Sequence, residues 1–169
     1  GTRVHCLVTI DIETEEVFSY TEDTIVHGVD ALRHADLIIG HNICLFDLPF
    51  LERLWGPIRT RINDTLIVSK LMYPDINNHP LGNNTLKAWG EHLGFPKQNY
   101  DLGWETCCPQ MIEYCIQDVR VNLEIYRAQE AFRKAYPKNI ELEHLVTRAI
   151  ATQIENGFGF DLEAAEGLE

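Results

Sequence analysis

Residues 26 to 41 read VHGVDALRHADLIIGH, and the fold turns on how that stretch divides. Val29, Leu32 and Ala35 recur at helical intervals, whereas Leu37, Ile38 and Ile39 form an unbroken apolar run of the kind found in a buried strand. Working upstream, Val4, Cys6, Val8, Ile10 and Ile12 alternate with His5, Leu7, Thr9 and Asp11. That period of two predicts a half-buried strand over residues 4 to 12, and EEVFSY at 15 to 20 supplies a second arm for a hairpin. Strand, helix, strand in this order predicts an α/β fold.

Downstream the pattern is mostly helical. LPFLERLWG (48 to 56) reads as a short helix closed by Gly56. NDTLIVSKLMYPD (63 to 75) starts at a capping Asn63 or Asp64 and stops before Pro74. NTLKAWGEHLGFPK (84 to 97) starts at Asn84 or Thr85 and stops at Gly94, and DINNHPLGNN between the two is a loop. One long helix is predicted from Pro109 to Tyr136, ended by Pro137. After a PKN linker, a helical segment runs to Gly157, and DLEAAEGLE begins a helix that the sequence does not finish. A domain over residues 1 to 137 and a helical lead-in over 138 to 169 follow, with a longer parent chain expected.

The 169 residues are 45% hydrophobic, enough for a sizeable core. No apolar run reaches the roughly 18 residues of a membrane span and no signal-peptide layout opens the chain, so a cytoplasmic protein is expected. Five cysteines, Cys6, Cys44, Cys107, Cys108 and Cys115, are odd in number and lack C-x-x-C spacing, which reads as reduced packing residues. A net charge of -12 argues against a general polyanion binder but leaves room for an enzyme whose metal ions do the neutralising.

Two constellations carry chemistry. On a helical wheel Ile112, Ile116, Val119, Leu123 and Tyr126 form one stripe, and Glu113, Arg120, Glu124 and Arg127 gather in a charged sector. Asp118 falls in neither: it shares its side with Tyr114, Val121 and Ile125, and an Asp facing the interior needs a partner or a metal. The second constellation follows the apolar strand, where His41, Asn42 and Asp47 occupy a strand end and the start of the next helix, the usual place for ligand groups in α/β sheets. Asn and Asp are also ordinary turn and cap residues there.

Taken together, HNICLFD (41 to 47) and YCIQD (114 to 118) resemble the second and third motifs of the 3′ to 5′ exonuclease domain of DNA polymerase I-like (family A, phage-type) DNA polymerases, in its DEDDy form. The similarity extends through DTLIVSKL, LKAWGEHLG and QIENGFGFD. It implies an RNase H-like mixed sheet with flanking helices and a site that hydrolyses DNA 3′ ends to nucleoside monophosphates with two divalent ions, Mg or Mn. In that site Asp47 and Asp118 would be metal ligands, Tyr114 would orient the attacking water, and His41 and Asn42 would touch substrate. The partners implied are a single-stranded DNA 3′ end and a polymerase domain of the same parent chain, with proofreading as the role.

DIE at 11 to 13 spells the family's first motif, D-x-E, but sits in the wrong place. Only 28 residues separate Glu13 from Asn42, where two strands and a helix need about 40. VHCLVTIDIETEEVFSY aligns better with the family's second and third strands, which makes Asp11 and Glu13 a hairpin tip and leaves the first strand missing from this sequence. Two rival readings stand beside the nuclease: a non-catalytic or truncated module that supports a polymerase or binds DNA, and an RNase D-like RNA-trimming enzyme.

Overall fold

The computed structural model describes residues 3–75, 79–96, 100–101, 103, 106–157, 159–161 and 165–167. In chain order the elements are β1 (Cys6–Ile10), β2 (Val17–Thr21), α1 (Ile25–His34), β3 (Leu37–Gly40), α2 (Asp47–Trp55), β4 (Arg61–Asp64), α3 (Thr65–Met72), α4 (Leu86–Leu93), α5 (Pro109–Ala128), α6 (Glu130–Ala135) and α7 (Pro137–Asn156). The chain is therefore a mixed α/β protein with small sheets and seven helices among the described residues.

The strands form two pairs. β1 and β2 are antiparallel, with Cys6 opposite Thr21 and Ile10 opposite Val17. β3 and β4 are parallel, with Leu37 opposite Arg61 and Gly40 opposite Asp64. Among the described residues the pairs share no hydrogen bonds, and α5 packs against both β1 and β3. The expected hairpin is present. β1, however, is covered on both faces: Cys6 meets Cys115 of α5, while Leu7 and Tyr20 press on Gly28 of α1 so closely that a Cβ there would lie 2.6 Å from Leu7. Helices on both faces explain why its alternation is not a clean inside-outside division.

Three expectations are corrected. Asn63 and Asp64, expected only as the capping start of α3, also end a strand, β4; with Ile62 its one strongly apolar residue, it is a strand because β3 offers its edge. The long helix breaks at Gln129, which is fully buried and donates from Nε2 to the Thr65 carbonyl and to Ser69 Oγ, each at 2.9 Å. Pro137 begins α7 rather than preceding a linker, consistent with its tolerance for the first turn of a helix. The helix expected after Gly157 falls largely on residues 162–164 and 168–169, outside the described residues.

The main core joins Ile25 and Val29 of α1, Ile38 of β3, Leu48 and Leu51 of α2, Ile58 of the segment between α2 and β4, and Ile67 of α3. A second cluster sets Trp89 of α4 against Val121 and Ile125 of α5. Burial on α5 thus favours the side that carries Asp118 rather than the Ile112 stripe. α7 is bound to the α/β unit through buried Ile140 and His144.

Candidate active site

The loop after β3 is shaped from its sequence outward. Asn42 takes a left-handed conformation, φ 64°, which Asn tolerates better than most residues, and its carbonyl accepts the Phe46 amide. The turn delivers Asp47 to the first position of α2. Asp47 is exposed as a residue; desolvation beside the surrounding protein pushes its pKa up to about 6, its own amide opposes the rise, and the charge of Asp64 adds to it.

Asp64 organises this loop. Only 1% exposed, it accepts the amides of Asn42 at 2.8 Å and Cys44 at 3.0 Å across the site, and that of Leu66 at 2.9 Å as the N-cap of α3. Its own amide donates to His144 Nε2 at 2.6 Å, and His144 Nδ1 in turn donates to the Ile140 carbonyl at 2.7 Å. Both ring nitrogens are thereby committed, so His144 is the neutral Nδ1–H tautomer. The cap role expected of Asp64 is borne out; its reach to Asn42 and Cys44 was missed, because a partner that is a distant backbone amide leaves no mark on side-chain spacing.

A second network ties the loop to α5. Thr65 has one hydroxyl proton and gives it to Asn122 Oδ1 at 2.7 Å, so His41 Nδ1 donates to Thr65 Oγ1 at 2.9 Å. Asn122 lies one helical turn beyond Asp118 on α5. The two motif segments are therefore joined through Thr65, at the junction of β4 and α3. Tyr114, one turn before Asp118, packs its ring against Tyr100 with centroids 5.6 Å apart, and Asp118 itself is half-buried.

Asp11 and Glu13 lie elsewhere. Asp11 Oδ1 accepts the amides of Glu13 and Thr14 and the Thr14 hydroxyl, which holds its carboxyl below the usual range, and its carbonyl accepts the amide of Glu15, a residue at φ 59°. This is a side-chain-closed turn at the tip of the hairpin. Glu15 pairs with Arg127. Because Cys6 meets Cys115 at the other end of β1, the strand runs alongside α5, and its tip is met by the side chain of Arg127, which also pairs with Glu124, in the half of the helix beyond Asp118.

These residues do not fit a two-metal centre by themselves. Among the described residues no three His, Cys, Asp or Glu side chains gather where they could hold a metal ion, Asp64 has spent its oxygens on amides, and Asp11 has one oxygen engaged in its turn. Of the other histidines, His5 pairs with Glu22 and buried His79 meets Asn84. Lys87 pairs with Glu91 along α4. No described helix is long and apolar enough to cross a membrane.

Comparison with known proteins points to one kind of enzyme. No family model matches the chain. It is 25% identical over 227 aligned residues to the DNA-directed DNA polymerase of Escherichia phage T7, covering 99% of this chain and 32% of that protein. It is 24% identical, with the same coverage, to the DNA-directed DNA polymerase of Enterobacteria phage T3. The chain spans about a third of the length of these relatives, and its likeness to them, running along nearly its whole length, supports a domain related to DNA polymerases.

Proposed function

We propose that this chain is the 3′ to 5′ exonuclease-type domain of a phage-type DNA polymerase, acting on single-stranded DNA 3′ ends in proofreading, and that it carries half of the carboxylate set. Asp47, Asp118 and Tyr114 are its contribution; His41 and Asn42 line the approach. The observation that carries the reading is the His41–Thr65–Asn122 network, which ties the loop before Asp47 to the helix of Asp118. The likeness to phage DNA polymerases supports the setting, with the polymerase domain as the partner.

The split sheet supports the same reading. One strand between β1 and β3, both lying on α5, would join the pairs into a single RNase H-like mixed sheet and would bring acidic residues to the level of Asp118. The Mg or Mn ions of such a centre belong to that completed arrangement, and no step is assigned to this chain through them. The hairpin-tip geometry of Asp11 favours a non-catalytic module as the second reading for the chain by itself.

The test measures metal-dependent degradation of 3′-labelled single-stranded DNA, by the chain alone and by the chain expressed with whatever its gene encodes on either side. Little or no cleavage by residues 1 to 169 is expected, with cleavage in the longer form that Asp118→Ala abolishes and Asp11→Ala leaves nearly unchanged. A longer form that is folded, binds DNA and never cuts would establish the non-catalytic reading instead.

A further inference from the structure

Four of the five cysteines converge where β1 crosses the first half of α5. Cys6 Sγ lies 3.7 Å from Cys115 Sγ, and Cys107 and Cys108, just before the helix, line a hollow together with Thr21, the residue opposite Cys6 in the hairpin. All are free thiols. We propose that Cys6 and Cys115 form a disulfide when the protein meets a small disulfide of the glutathione class, and that this bond clamps the hairpin onto α5 beside Tyr114.

The geometry is close to bonded. The sulfurs need to approach by roughly 1.7 Å to reach a disulfide length near 2.05 Å, within the play of two side-chain torsions. The chemistry balances: one cysteine, as thiolate, attacks a sulfur of the small disulfide, forming a mixed disulfide and expelling one small thiol. The second, having lost its proton, attacks the protein sulfur of that mixed disulfide and expels the other. Two protein thiols and one small disulfide become one protein disulfide and two small thiols.

The competing thiol is Cys108. At the N-cap of α5 it is met by the Tyr100 hydroxyl at 3.4 Å, which holds its pKa below the usual value, whereas Cys6 and Cys107 are pushed up. Cys108 therefore captures small disulfides fastest, but the pair at contact distance traps the lasting bond. Cys115 follows Tyr114 and precedes Asp118 by less than one turn, so the bond anchors to the hairpin the turn of α5 that carries both.

Peptide mapping by mass spectrometry after equilibration with oxidised and reduced glutathione tests this. The expected result is a Cys6–Cys115 linked peptide, loss of two free thiols from the five, an upward shift in melting temperature of several degrees and full reversal by reductant. Cys6→Ser and Cys115→Ser should each remove the linkage, and Cys44→Ser and Cys108→Ser should retain it. The wild-type map decides the matter even if a variant folds poorly. A Cys107–Cys108 or Cys6–Cys107 bond, a glutathione adduct resting on Cys108, or intermolecular dimers as the main product would each overturn the proposal.

Discussion

Asp64 satisfies three backbone amides from two different segments, and its own amide is satisfied by His144 on α7. Asp64→Ala leaves those donors buried and unmet, so a loss of about 3 kcal/mol or more in urea unfolding is expected. Asp64→Asn, which keeps the size but removes the charge, should lower the pKa of Asp47 when its carboxyl is followed by NMR. Asp47 has a raised folded pKa, so its contribution to stability is full below its unfolded value of about 4 and is lost as pH rises through about 6. Asp47→Asn should therefore raise the melting temperature at pH 7 and flatten its pH dependence between 4 and 6. An unchanged slope would show that the carboxyl is solvated after all. The turn-forming Asp11 works in the opposite sense, its stabilisation fading as pH falls through its lowered pKa.

At the scale of elements, two substitutions test the packing. Gly28→Ala puts a methyl group against Leu7 and Tyr20, and a destabilisation of about 1–3 kcal/mol is expected, with the loss concentrated in hydrogen-exchange protection of the β1–β2 hairpin. Gln129→Ala removes the two hydrogen bonds that fix the break between α5 and α6 and should cost about 2 kcal/mol in thermal or urea unfolding. These elements also show what the sequence could carry. The hairpin, α1, β3, α2 and α4 were readable because apolar period, turn residues and Gly56 or Gly94 closures all act locally. β4 was not, since Arg61, Asn63 and Asp64 look like a loop until β3 lies beside them. The break at Gln129 contains neither Gly nor Pro and exists because α3 offers a carbonyl and a hydroxyl to one amide group. In the site, residue types at Asp47, Tyr114 and Asp118 stood out, whereas Thr65 and Asn122, which connect the two segments, look like ordinary polar residues in isolation.

Across the whole molecule, α7 is two-sided. Ile140 and His144 are buried against the α/β unit and Arg148 reaches Glu52 of α2 at 3.6 Å, while Leu142, Leu145, Val146, Ile150 and Ile154 stand exposed. Leu145→Gln should therefore change the melting free energy of this chain by less than about 0.5 kcal/mol, whereas His144→Ala should cost about 1–3 kcal/mol by leaving the Asp64 amide unmet. The two strand pairs carry a further consequence, written in the exchange rates of individual protons. Asp11 and Glu16 form a hydrogen-bonded pair at the end of the ladder, so by antiparallel alternation the amides of Leu7 and Thr9 point at β2 and those of Cys6, Val8 and Ile10 point the other way. In heavy water the first set should persist and the second should vanish early, giving β1 a sawtooth of slow and fast positions. Any strand that zips onto that edge would erase the teeth one residue in two, so the same spectrum would report its arrival and its register.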